Sequence, residues 1–163
     1  MNKMTEDIGI NPQALAEATA KAMYARDRAS QGLGMKVLEV APGFARMTMT
    51  VREDMLNGHN TCHGGFIFTL ADSAFAFACN SRNQNTVASG CSIDYIAPGF
   101  EGDVLFAEAI EQSRSGRTGV YDIDVVNQDG KRIALFRGKS YQIKGEIIPA
   151  PAAASDEPKL PAR

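Results

Sequence analysis

The chain has 163 residues, 44% of them hydrophobic and 22% charged, with a formal net charge of −2. That balance is ordinary for one globular domain able to bury a core, and it holds no Lys/Arg run or basic patch that would point to a nucleic-acid partner. Three unpatterned cysteines, Cys62, Cys79 and Cys91, read as reduced thiols in a cytoplasmic protein and exclude a disulfide framework.

The first ten residues, "MNKMTEDIGI", lack the apolar run of a secretory signal and read as a flexible lead-in. From Pro12 to Arg28, strong helix formers carry a stripe through Leu15, Ala18/Thr19, Ala22/Met23 and Arg26, which predicts a helix. "GLGMKVLEVAPGFARMTMTV" predicts two strands around Pro42-Gly43, and Met35, Met47, Met49 and Met55 read as packing residues. A second, wholly apolar helix is expected from Gly64 to Asn80. Thr86 to Phe100 predicts a strand ending at Pro98-Gly99, and three more strands follow, broken at 114–117 and at Asp129-Gly130. Residues 148–163 hold four prolines without apolar periodicity and read as a disordered tail, leaving one domain over 11–147. Adjacent strands with few helices imply an α+β fold with an antiparallel sheet.

The Gly64–Asn80 segment carries the chemistry. Phe66, Ile67, Leu70, Ala71, Ala74, Phe75, Phe77 and Ala78 leave almost no polar face, so the sheet is expected to wrap the helix on all sides. The segment is short for a membrane span and has Asp72 at its centre, so no membrane partner is expected. Asp72 shares a narrow stripe with Gly65, Phe68/Thr69, Ala76 and Cys79. Two readings of it stand: a carboxylate paired with an arginine or capping nearby backbone, or a working acid. Cys62-His63-Gly64-Gly65 opens the helix with unobstructed amides, which suit an oxyanion. Gly64 and Asp72 lie roughly 12 Å apart along one helix at about 1.5 Å per residue. One carbonyl cannot meet both groups of the same chain, but two antiparallel helices across a two-fold axis would bring one start near the other's middle.

Other patterns point elsewhere less well. His59, Cys62 and His63 lack the four converging ligands of a closed zinc site, so no metal is expected. Cys62 beside His63 is a poor thiol nucleophile, because sequence neighbours seldom face each other. No G-x-S-x-G occurs, and "RGKS" at Arg137–Ser140 lacks the upstream glycine of a P-loop. "SRSGRTG" (113–119) is either a connecting turn or a phosphate contact through Arg114 and Arg117, with Arg137 or Lys139 as further candidates.

Taken together, "MLNGHNTCHGG", "LADSAFAFACNS", "VASGCSIDYIAPGF", "TGVYDIDVVNQ" and "ALFRGKS" resemble the hotdog-fold acyl-CoA thioesterases of the phenylacetic-acid-degradation (PaaI-type) subfamily over roughly residues 24–145. The resemblance implies a hotdog fold, dimers with shared active sites and often tetramers, and acyl-CoA as substrate with no separate cofactor. It implies that Asp72 is the nucleophile or the general base and that the Gly64 N–H binds the thioester oxygen. Asn57 would position water or the thioester, His63 would support the loop, and Ser89 would orient the hydrolytic water. Substrate contacts would come from Gly65, Thr69, Ser73, Gly116, Arg117, Thr118 and Arg137. Expected substrates are aryl- or arylacetyl-CoA, hydroxyphenylacetyl-CoA among them. A hotdog hydratase or dehydratase using His63 as base, and a non-catalytic acyl-CoA sensor, are the rival readings.

Overall fold

A computed structural model describes residues 11–149. The expected lead-in, and the expected tail from residue 150 onward, lie outside the described residues. The elements, in order, are α1 (Pro12–Arg26), α2 (Arg28–Gly32), β1 (Lys36–Ala41), β2 (Phe44–Thr50), a 3-10 turn (Glu53–Met55), α3 (Gly64–Cys79), β3 (Thr86–Tyr95), β4 (Val104–Ser115), β5 (Thr118–Val126) and β6 (Arg132–Gln142). The six strands form one sheet in the order β1-β2-β4-β5-β6-β3, every pair antiparallel.

Local chemistry sets the boundaries. Asn11 caps α1 through its Oδ1, which accepts the Gln13 N–H at 3.0 Å, and Pro12 occupies the first helical position, where no N–H is needed. The expected single helix to Arg28 is two helices, because the Asp27 carboxylate accepts the Ser30 N–H (2.9 Å) and hydroxyl (2.6 Å) and caps α2. The buried stripe of α1 is Ala16, Thr19 and Ala20, one position away from the expected one. β3 stops at Tyr95, five residues short of Phe100, where the chain leaves β6 and folds back until the Gly99 carbonyl accepts the Cys62 N–H at 2.8 Å. The break expected at 114–117 is narrower: Arg114 and Ser115 belong to β4, and only Gly116-Arg117 make the turn. Near the end of the described residues Ile148 exchanges two hydrogen bonds with the Asn83 side chain, at 2.8 and 3.0 Å.

α3 lies across the middle of the sheet. Its Ile67, Leu70, Ala71, Ala74, Phe75, Phe77 and Ala78 are buried against Met47, Met49, Leu105, Ala107, Ile123, Val125 and Phe136. All four methionines expected as packing residues are fully buried. Gly138 permits the close approach, since a Cβ there would stand 2.8 Å from the Phe75 ring. The helix is not enclosed on all sides, however. Gly65, Phe68, Thr69, Asp72, Ser73 and Ala76 form a partly exposed strip, because the six strands cover only the face turned toward them. β2, β5 and most of β6 alternate buried and exposed residues, whereas β3 is exposed along nearly its whole length.

Candidate active site

The start of α3 is assembled by the loop that precedes it. Asn57 Oδ1 accepts the N–H groups of His59 (2.9 Å) and Thr61 (3.3 Å) and the Thr61 hydroxyl (3.2 Å), closing a compact turn. Those donors fix the orientation of the amide and leave its NH2 group without an acceptor among the described residues. His63 then caps the helix: its Nδ1 accepts the Gly65 N–H at 2.9 Å. An accepting Nδ1 requires the neutral ring with its proton on Nε2, so His63 is a donor toward any ligand and poorly suited as a base. The Gly65 amide is therefore used inside the cap, while the Gly64 N–H has no acceptor among the described residues. Gly64 itself is tightly covered, because a Cβ there would lie 2.9 Å from the Tyr95 ring, whose hydroxyl donates to the Gly64 carbonyl at 2.9 Å.

Two turns along, Asp72 is half-buried on the open strip of α3. No arginine, lysine or backbone N–H binds it among the described residues; the polar group against it is Cys91 Sγ, 4.0 Å from Oδ1. Burial raises its pKa above the usual carboxylate value. Among the described residues the carboxylate is neither ion-paired nor a cap.

β3 runs antiparallel to α3 beside this strip. Cys91 meets Asp72 and Tyr95 meets Gly64, so four strand residues, about 13 Å, match eight helix residues, about 12 Å. Ser89 sits two residues before Cys91 at a β-bulge: Ala88 pairs with Ser140 and Gly90 with Lys139, leaving Ser89 unpaired in the ladder. Its hydroxyl donates to the Lys139 carbonyl at 3.1 Å.

The remaining expected contacts fall in three places. Thr69, on the open strip, donates its hydroxyl to the Gly65 carbonyl at 2.7 Å. Ser73 turns toward α2, its hydroxyl 3.3 Å from that of Ser30. Gly116, Arg117 and Thr118 form the β4–β5 turn and, with Arg82 and Arg114, line a small cavity near the C-terminal end of α3. Arg137 is not with them. Phe136 and Gly138 face α3, so Arg137 and Lys139 project from the other face of the sheet, where Arg137 makes a bidentate pair with Asp122 (2.6 and 2.8 Å). Cys62 is buried, and burial pushes its thiol up to about 11, so it is a neutral thiol rather than a nucleophile.

Sequence reasoning missed Cys91 and Tyr95 as site residues. The alternation of Cys91, Ile93 and Tyr95 on one face of β3 was the available signal. What it could not supply was the register of that strand against α3. A helix-start amide without an acceptor, a side-chain amide donor beside it and an unpaired carboxylate are the group types that stabilise an oxyanion and move a proton.

Comparison with known proteins finds relatives over most of the chain. The family model described as the thioesterase superfamily matches residues 59–134. The chain is 53% identical over 128 residues to the acyl-coenzyme A thioesterase PaaI of Escherichia coli, spanning 78% of this chain and 91% of that protein. The solved structure of E. coli PaaI, from the phenylacetic acid degradation operon, superimposes with a TM-score of 0.82 at 50% identity, covering 83% of this chain and 99% of that one. A Streptococcus mutans protein, solved bound to acetyl-CoA, is similar at 27% identity with a TM-score of 0.65, covering 69% and 90% of the two chains.

Proposed function

Because the chain belongs to the thioesterase superfamily and has the hotdog fold of that family, we propose that it is an acyl-CoA thioesterase. Its substrates are aryl- or arylacetyl-CoA, hydroxyphenylacetyl-CoA among them, and its products are the free acid and coenzyme A. The observation that carries the reading is Asp72: a half-buried carboxylate without an ionic partner among the described residues, on the helix whose first amide, the Gly64 N–H, has no acceptor among them.

In this reading the thioester oxygen lies against the Gly64 N–H, which stabilises the oxyanion of the tetrahedral intermediate. Asp72 takes a proton from water, and the hydroxide forms the new C–O bond. Collapse of the intermediate breaks the C–S bond, and the coenzyme A thiolate leaves with the proton returned from Asp72. Burial, which raises the proton affinity of Asp72, favours this base role. Direct attack by the same carboxylate would instead form a mixed anhydride with loss of the thiolate, and hydrolysis of that anhydride at the Asp72 carbonyl in ¹⁸O water would label Asp72 in a single turnover, which the base role never does. Asn57 positions water or the thioester with its free NH2 group, and His63 holds the loop through its cap. No metal or prosthetic group enters the reaction.

Gly64 and Asp72 of one chain are too far apart for one carbonyl, so the reading requires a dimer in which each site takes one group from each copy. The ten-residue β3, exposed on both faces at the sheet's edge, favours pairing there with a second copy, and a tetramer follows from pairing of dimers. Gly116, Arg117 and Thr118 at the β4–β5 turn, and Arg137 on the other sheet face, are the candidate contacts for coenzyme A phosphates. Among the described residues no helix is long and apolar enough to cross a membrane, and reduced cysteines suit the cytoplasm.

The test is a panel of aryl-, arylacetyl-, straight-chain acyl- and enoyl-CoAs, following free thiol alongside enoyl absorbance. Thiol release fastest with the arylacetyl series is expected. Loss of enoyl absorbance without thiol release would establish a hydratase instead, and binding with neither would establish a sensor.

A further inference from the structure

The bulge at Ser89 has a consequence for the carboxylate. It leaves Ser89 donating its hydroxyl to β6, away from α3, and sets the register so that Cys91 faces Asp72. Bulges re-aim side chains beside functional sites in this way. An edge strand could carry any small polar residue at position 91, and the residue there is the weakest hydrogen-bond donor of the candidates.

That weakness suits the position. A serine hydroxyl or a backbone N–H bound to Asp72 would stabilise the charged carboxylate strongly and make it a poorer base, whereas a thiol can hold one oxygen while costing little basicity. The groups that sense the charge of Asp72 are Cys91 on β3 and Cys79 on α3 itself, and both thiols are pushed up, burial being the larger cause. No cation from β2, β4, β5 or β6 is paired with Asp72 among the described residues, and the β6 cations Arg137 and Lys139 lie on the far face of the sheet. The thiol is thus the one protein donor within reach of Oδ1 among the described residues. The 4.0 Å separation is that of a long, weak sulfur hydrogen bond.

We infer that Cys91 is a positioning residue for Asp72: its S–H holds Oδ1 and leaves Oδ2 free to take the proton of the attacking water. The inference rests on the thioesterase reading and refines it. It gives Cys91 no nucleophilic or redox role; burial and the Asp72 charge push its thiol up, away from the thiolate.

The experiment compares wild type, Cys91→Ser, Cys91→Ala and Asp72→Asn for acyl-CoA hydrolysis across pH, with thermal unfolding as the check on folding. Cys91→Ser should move the acidic limb of kcat/KM to lower pH by about half a unit, as expected for a stronger donor on the carboxylate. Cys91→Ala should lower kcat about three- to tenfold, the worth of one modest hydrogen bond, with KM unchanged within about twofold. A carboxyl titration of Asp72 by ¹³C NMR, in wild type and Cys91→Ser, reads the same effect without turnover, and a lower value in the variant supports the inference. Wild-type kcat and pH profile in both Cys91 variants, with Asp72→Asn inactive, would overturn the inference and leave the thioesterase reading standing. Full turnover in Asp72→Asn would overturn both.

Discussion

Asp72 and Glu111 are two partly buried carboxylates of one core that are treated in opposite ways. Glu111, on β4, accepts a bidentate pair from Arg82 (2.6 and 3.1 Å) and the Tyr121 hydroxyl (2.7 Å). Burial alone would raise its pKa, but those hydrogen bonds overcome it and hold the group below the usual glutamate value. Asp72 has only a thiol, and burial raises its pKa unopposed. Glu111 is what a structural carboxylate looks like in this chain: each oxygen is satisfied, and the charge joins β4, β5 and the segment after α3. Asp72 lacks every one of those features. One acid is fully satisfied, and the other, on an open helix face, has no such partners among the described residues, which is the contrast the proposed role of Asp72 rests on.

The contrast can be broken most sharply through activity. Asp72→Asn should lose hydrolysis by about a hundredfold or more while still binding acyl-CoA, because it removes the group that moves the proton and leaves the pocket's shape intact. Retained turnover in a thiol-release assay would count against the assignment. The counterpart, Glu111→Ala, should act on stability. Its loss strands the Arg82 guanidinium and the buried Tyr121 hydroxyl, and a destabilisation of about 2–3 kcal/mol is expected in urea titration, below the fully buried range because both ion-pair side chains keep some exposure.

The pH dependences should also differ in sign. The Glu111 pKa is lowered by folding, so its stabilisation is present at neutral pH and is lost as pH falls through the folded value. The Asp72 pKa is raised, so its cost is absent at low pH and develops as pH rises from the unfolded to the folded value. Glu111→Gln should therefore flatten the acid side of the stability profile. The smallest expected effect is that Asp72→Asn melts at or slightly above wild type at pH 7, with the difference vanishing in acid. An Asn variant markedly less stable than wild type at pH 7 would mean that Asp72 has a structural partner.

Much of this was legible in the amino-acid order. The apolar run from Phe66 to Ala78 identified α3, and the charge inside it identified Asp72, because a lone acid in such a run needs a reason. Adjacent strands with few helices between them identified an antiparallel sheet. What could not be read were relations between distant segments. Asp27 ends α1 by capping α2, a competition that helix propensity does not express. Arg137 looked like a phosphate contact because its loop partners are near in the pattern, yet strand alternation turns it to the far face, onto Asp122. Cys91 and Tyr95 meet α3 only because a bulge at Ser89 sets the register, and single-strand periodicity carries no record of a bulge. The exposure of β3 was equally hidden, since its composition resembles that of the buried strands and only its edge position separates them.

The claim beneath the contrast is that Asp72 goes unpaired because a second copy of the chain brings the substrate to it. Mixing Asp72→Asn and Asn57→Ala chains, each inactive alone, tests this most directly. Random reassociation should restore about a quarter of wild-type activity, since half the dimers are mixed and one of their two sites is intact. Mixed oligomers isolated by two affinity tags that show no thiol release would contradict the shared site.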